Sequence, residues 1–452
     1  MESVAQNQPQ TELPNSLKYA RLSKKAIAGQ SNLRRFASNN GGVFDPSNNS
    51  IIHIDITSSG VNSFLDSAHG YLQFKISSSN KTTAGEPQTI DGGIWAIIDR
   101  LRVIDKGSGA ILSDIQNYNL LHNVMFKYQT DSSKLATTNA VSGTPSTLVG
   151  SGNAPNAVGY RADYKVEESV KFPSNLQAND MTLCMPIING FLSNTKGLYL
   201  PLGASQGIRL EITLASALNC MQSATDVNYL VKSCHYFAPV VNVIGDDFSN
   251  SMGQMMSAMG GISFTGSDYS SYVSNMLAGA GEKVIDIPVQ ARSLRALFSI
   301  SRRTTEVANI ANFGLNTYKA NAITEYNYRI GDLSLPPSRV QCTISENTDA
   351  RNSSNAYNQI LLATGQLNSV HAQTLVNGTT FNGRDFIHAT DTESYLNESG
   401  NVSHTGIDTL SGNLQVQLEV NNTPANNQRV DTFALSERLY FLNTNGTFSV
   451  SK

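Results

Sequence analysis

Charge is what this sequence is short of. Of its 452 residues 15% are charged, against roughly 25% in an average globular domain. The formal net charge of −3 gives no support for a nucleic-acid-binding surface over the whole chain. Cysteine is scarce as well. Cys184, Cys220, Cys234 and Cys342 are scattered without C-x-x-C pairing, so inert thiols are expected rather than a disulfide or metal framework. The seven histidines never pair at i, i+2 or i, i+4, so no helical zinc site is visible. No run approaches eighteen apolar residues, the length that spans a bilayer. The opening MESVAQNQPQTELPNS lacks the apolar region of a secretory signal, and synthesis without a secretory route is expected. No G-x-x-x-x-G-K-[ST] or G-x-G-x-x-G phosphate cradle is present. These gaps leave no cofactor and no small-molecule substrate to expect.

Asn, Ser, Thr and Gly fill the place of the missing charges, as they do in turn-rich β proteins. Sequons at Asn48, Asn80, Asn352, Asn377, Asn397, Asn401, Asn421 and Asn445 are a by-product of that composition. Strand-like runs are many and helix-like runs few, so the expected class is all-β. A chain of this length exceeds one compact core, so two core-bearing units are expected.

Residues 1–45 read as a basic arm, loosely attached. Lys18, Arg21, Lys24, Lys25, Arg34 and Arg35 face only Glu2 and Glu12 up to residue 40, and such an arm can touch phosphate. From Ile51 the strands begin, with Ile52, Ile54 and Ile56 alternating with His53 and Asp55, then Leu72, Phe74 and Ile76 with Gln73 and Lys75. His53 falls on the polar face. Ile94–Ile104 reads as a strand buried on both faces, with Trp95, the single tryptophan, inside it. A helix is expected next, with Ser113 as N-cap, Asp114 in its first turn, and Ile115, Tyr118, Leu121, Val124, Met125 and Tyr128 on its apolar side.

The stretch from Thr130 to Gly159 reads as a projecting loop. Further strands are expected at Met181–Ile188, Leu198–Leu200, Ile208–Leu214 and Tyr229–Phe237. The first unit, 46–245, ends there. Residues 246–281 change to Gly, Ser and Met and read as a connection, with a short helix at Tyr269–Leu277. The second unit, 282–452, opens on Ile285, Ile287 and Val289, where Pro288 suggests an edge strand. It continues through Leu333–Ser345, a helix at Ala356–Val370, and strands at Leu414–Val420 and Phe433–Phe441.

Three arrangements could carry chemistry. Gly203–Gly207 matches G-x-S-x-G, but the nucleophile elbow needs a strand-to-helix turn and a strand follows here, so a hairpin turn is preferred. His388 and Asp391 lie close and read as a satisfied surface pair in a loop. Glu167 with Glu168, or Asp246 with Asp247, could be offered as glycosidase carboxylates, yet such pairs act across a cleft and adjacency is no evidence. Non-enzymatic function is therefore expected.

The chain also echoes itself. LEITLAS at 210–216 matches LQVQLEV from 414, and YLVKSCHYF matches FALSERLYF at the same offset, setting Tyr236 on Tyr440 and Phe237 on Phe441. Two copies of one sandwich explain this, and about eight strands per unit favour jelly rolls. The expected architecture is two tandem eight-stranded jelly rolls, a double jelly roll, with short helices between strands.

The stretch IIDRLRVIDKGSGAILSDIQNYNLLHNV, preceded by LDSAHGYLQFKI, resembles the first jelly roll of major capsid proteins of Polinton-like viruses, adintoviruses and virophages. The resemblance is specific over Ile51–Tyr128 and architectural beyond. It implies a homotrimer forming a pseudohexameric capsomer that tiles an icosahedral shell around double-stranded DNA. Implied partners are the chain itself, neighbouring capsomers, penton and minor capsid proteins, and the genome or an internal membrane through the arm. The chain is short for that family, which argues against large tower domains. The family has no catalytic residues to carry over. A tandem-sandwich binding module (fibre, spike or lectin) is the rival reading. It wants a clustered aromatic surface, which Trp95 in an apolar stretch does not supply.

Overall fold

The computed structural model describes residues 29–58, 60–78, 88–90, 92–144, 171–172, 180–193, 199–222, 228–244, 253–254, 256–258, 260–279, 281–307, 315, 323–342, 353–367, 374–376, 381, 385–393, 405–421 and 426–451. Strands dominate. In chain order they are β1 (Gly29–Ala37), β2 (Ile51–Ile56), β3 (Ser63–Leu65), β4 (Tyr71–Ser78), β5 (Gln88–Ile90), β6 (Ile98–Asp105), β7 (Ile111–Gln116), β8 (Lys171–Phe172), β9 (Met181–Pro186), β10 (Ile208–Leu214), β11 (Met221–Gln222) and β12 (Tyr229–Val243). The series goes on with β13 (Gly261–Met276), β14 (Lys283–Ile287), β15 (Leu294–Arg303), β16 (Glu325–Ile330), β17 (Leu333–Gln341), β18 (His388–Asp391), β19 (Val416–Asn421), β20 (Gln428–Asn443) and β21 (Phe448–Ser451).

Two sandwiches result, and their wiring is the same. One sheet runs β1-β12-β4-β9 and faces β2-β10-β6-β7; the other pair runs β13-β20-β15-β18 and β14-β19-β16-β17. Numbering the eight principal strands of each unit in chain order gives 1-8-3-6 and 2-7-4-5 both times, the strand order of a jelly roll. β3 and β21 extend the two eighth strands, and β11-β5-β8 forms a small separate sheet. Period-two burial drives each sheet. Ile52, Ile54 and Ile56 on β2 are fully buried while His53 and Asp55 are half-buried, and β19 alternates in the same way.

The echo in the sequence has a counterpart in space. β10 and β19 each stand second in their sheet, as do β12 and β20. Tyr236 stacks on Phe36 with ring centroids 6.1 Å apart, and Tyr440 stacks on Phe264 at 5.5 Å. Each pair joins the first strand of its roll to the eighth.

Local elements depart from the sequence reading where the patterns were ambiguous. Ile94–Ile97 is a buried 3-10 turn and the strand begins only at Ile98; four buried apolar residues read equally as strand or turn. Ser113 and Asp114 belong to β7, not to a helix start. The helix α1 (Tyr118–Gln129) opens at Asn117, whose φ of 49° is left-handed. α1 is also enclosed nearly all round, with Asn119, His122, Asn123 and Lys127 buried. Residues 132–142 of the expected loop fold into helical turns, and 145–159 lie outside the described residues. Of the expected strand Leu198–Leu200, Leu200 forms an isolated bridge to Leu65.

Two larger corrections concern the stretches read as arm and connection. Residues 29–37, within the expected arm 1–45, are β1, paired with β12 from His235 to Val243. Residues 261–276, within the expected connection 246–281, are β13, paired with β20 along all sixteen residues. The helix expected at Tyr269–Leu277 is therefore strand. Tyr269, Tyr272 and Met276 fit helical spacing, but the waiting edge of β20 decides their conformation, a tertiary override of local preference.

Candidate assembly surfaces

The basic arm divides in two. Lys18, Arg21, Lys24 and Lys25 lie outside the described residues, whereas Arg34 and Arg35 are fixed on β1. Their side chains point to opposite faces, as neighbours on a strand must. Arg34 donates to the Thr57 carbonyl at 3.0 Å and lies over the Phe36 ring, 5.0 Å from its centroid. Arg35 is exposed beside His235, whose pKa is lowered by burial and by the Arg35 charge. The structure thus does not bring these two arginines together as one patch.

The rolls meet along a polar seam. Asp268 of β13, fully buried, accepts from Ser113 of β7 at 3.0 Å and from the Gly190 amide at 3.0 Å. Its other oxygen pairs with Arg438 of β20 at 2.9 Å, and Asn189 donates to Ser113 at 2.7 Å. At the far end of α1, Lys127 pairs with Asp385 at 2.6 Å, both buried, and the Tyr128 hydroxyl donates to the Asp385 carbonyl at 2.6 Å. Phe191 of the first roll packs edge-on against Tyr440 and Phe448 of the second, centroids 5.1 Å away in each case. Buried charges of this kind tolerate only a complete set of partners, so the seam fixes one relative placement of the rolls. Nothing in the spacing of Ser113, Asn189, Asp268 and Arg438 along the chain marked them as one cluster.

The chemical candidates resolve differently. Ser205 of the G-x-S-x-G stretch donates its hydroxyl to the Leu202 carbonyl at 3.0 Å in a turn leading into β10. His388 and Asp391 are not a surface pair. They stand on β18, with His388 fully buried between Tyr326 and Phe386 at 4.9 and 5.0 Å and burial lowering its pKa to about 4. His53 sits on the outer face as read, its Nε2 3.3 Å from a Glu211 carboxylate oxygen, with burial lowering its pKa. Trp95 is buried against His122, ring centroids 4.5 Å apart, and is closed to any ligand. No disulfide joins the four cysteines, and burial pushes the Cys234 thiol up. Glu167, Glu168, Asp246 and Asp247 lie outside the described residues, and among the described ones no group of three His, Cys, Asp or Glu gathers.

No protein-family model matches this chain, and no curated protein matches it by sequence. Solved structures do. VP54 of the virus PBCV-1, fitted into a reconstruction of the virophage Sputnik, superposes with a TM-score of 0.57 at 10% identity, covering 96% of this chain and 99% of that one. The fold is a double jelly roll. The Faustovirus major capsid protein gives a TM-score of 0.57 at 9% identity over 95% and 92% of the two chains. A chain of the Sputnik virophage particle gives 0.52 at 12% identity over 100% and 93%. These matches run over nearly the whole length of the chains, so the likeness in fold spans both rolls.

Proposed function

We propose that this protein is a viral major capsid protein that homotrimerises into a pseudohexameric capsomer of an icosahedral shell around double-stranded DNA. The observation that carries this reading is the repeated 1-8-3-6/2-7-4-5 wiring, with both rolls locked by a buried seam. Two rigid, similar lobes in one chain give a trimer six similar lobes, which suits a local six-fold position. Similarity in fold to the Faustovirus and Sputnik chains supports the same role, and the Ile51–Tyr128 resemblance extends it to the Polinton-like, adintovirus and virophage group. On this reading the rolls run from β1 to β12 and from β13 to β21, the place of action is the virion, and residues 1–28 meet neighbouring capsomers, penton or minor capsid proteins, genome or an internal membrane. Light scattering coupled to size exclusion tests it. The expected mass is three times the 48.8 kDa chain, with six-sided particles in negative stain; a stable monomer at micromolar concentration overturns it.

A further inference from the structure

The outer face of the β13-β20-β15-β18 sheet is roofed by helix, and a gap remains under the roof. Tyr269, Leu435, Ala296 and Asp391 stand in one row across the four strands. The helix Ser354–Ala363 packs over β18 and β15. Met125 of α1 closes another side, its Sδ accepting from the Tyr269 hydroxyl at 3.6 Å. The cavity between them measures about 330 Å³, at the small end of the roughly 300–1,000 Å³ range of ligand pockets. Close-packed interiors leave few voids of that size.

Its lining is apolar on one side and acidic on the other. Phe298, Leu362, Leu435 and Met125 supply the apolar part. The acidic part begins at an irregularity: β15 slips register against β20 between Leu294 and Ala296, which sets Arg295 outside the regular pairing. Bulges re-aim side chains in this way. Arg295 donates to Ser267 Oγ at 2.9 Å, is hydrogen-bonded to Glu393, and lies 4.0 Å from a Glu437 oxygen. One guanidinium thus serves two carboxylates, and Asp391 beside them is a third. Among the described residues the Asp391 carboxylate accepts from the Glu393 backbone amide at 3.0 Å and from no side chain. Burial, then the charge of Glu393, raises its pKa. The neighbouring Asp268–Arg438 and Lys127–Asp385 pairs each balance their own charge. The cleft is therefore short of positive charge.

We infer that this cleft binds a small primary amine with an apolar body, the ammonium on Asp391 and Glu393 and the body against Phe298, Leu435 and Met125. An ammonium brings a positive charge and three donors, which the unbalanced carboxylates lack. An anion meets the same carboxylates as repulsion, and a neutral ligand leaves them unbalanced. Met125 and Gln129 of the lining belong to the first roll and the other lining residues to the second. An occupant bears on both rolls, and by binding only the folded chain it stabilises that chain. The inference does not depend on the capsid reading.

Calorimetric titration of the full chain with 2-phenylethylamine tests it, with 2-phenylethanol and 3-phenylpropionate as neutral and anionic counterparts. The amine is expected to bind at one site per chain, with a dissociation constant below about 1 mM, and to raise the melting temperature. Both counterparts should bind about tenfold more weakly or worse. Asp391→Asn should weaken the amine by about the same factor, and Ala363→Phe, which fills the cleft from the helix side, should abolish binding. Asp286→Asn, at an exposed carboxylate on β14 of the other sheet, should bind as the wild type does. A wild type that does not bind the amine, an alcohol that binds as tightly as the amine, or unchanged affinity in Asp391→Asn overturns the inference. Should a variant fail to fold, hydrogen exchange on the wild type decides. Saturating amine is expected to slow exchange across residues 362–367, and unchanged exchange there overturns the site.

Discussion

His122 and His388 each fold as neutral rings, and burial lowers both pKa values to about 4 from 6.5. Between those values the unfolded chain holds more protons than the folded one, so stability falls as pH drops through the window. Each histidine contributes a slope of up to about 1.4 kcal/mol per pH unit. Melting temperature is expected to fall from pH 6.5 towards pH 4, and His388→Phe, which keeps a ring between Tyr326 and Phe386, should flatten part of that slope. The buried tyrosines offer a second prediction. Among the described residues the Tyr236 and Tyr440 hydroxyls have no hydrogen-bond partner, whereas that of Tyr328 donates to the His388 carbonyl at 2.9 Å and lies 2.8 Å from Ser299 Oγ. Tyr236→Phe and Tyr440→Phe should leave urea stability unchanged or raised. Tyr328→Phe removes both of these contacts and should lose about 1–3 kcal/mol.

At the scale of elements, the strands that open the rolls carry most of what was unexpected. β1 covers one edge of β12 and brings Phe36 onto Tyr236. Removing residues 1–28 leaves β1 and its pairing with β12 in place and should lower the melting temperature less than a longer truncation does. Removing residues 1–37 uncovers that edge and part of the core, and should lower melting sharply or give aggregates; equal melting of the two truncations would refute the role given to β1. The strands were legible where alternation was strict. Ile52, Ile54 and Ile56, or Val416, Leu418 and Val420, declare a face by themselves. β1 was not, because GQSNLRRFA offers one buried residue, Phe36, and β13 was not, because its Ser, Gly and Tyr residues bury little alone. Both become strands through a partner more than 150 residues away.

For the whole molecule, the seam between the rolls is what turns two sandwiches into one block. Asp268→Asn leaves Arg438 buried without its counter-charge and should cost about 3–5 kcal/mol, measured by urea unfolding. If the seam holds the rolls as one unit, the variant should also split a single unfolding transition into two. By itself the sequence determined the class, the doubling and most strand positions, because burial of every second residue and a repeated pattern are written locally. The tertiary structure alone decided that β1 and β13 are strands, that Ser113, Asn189, Asp268 and Arg438 meet, and that His388 is enclosed. Those outcomes depend on which edge and which buried charge a distant segment finds, and a one-dimensional pattern fixes the face of a strand without naming its neighbour.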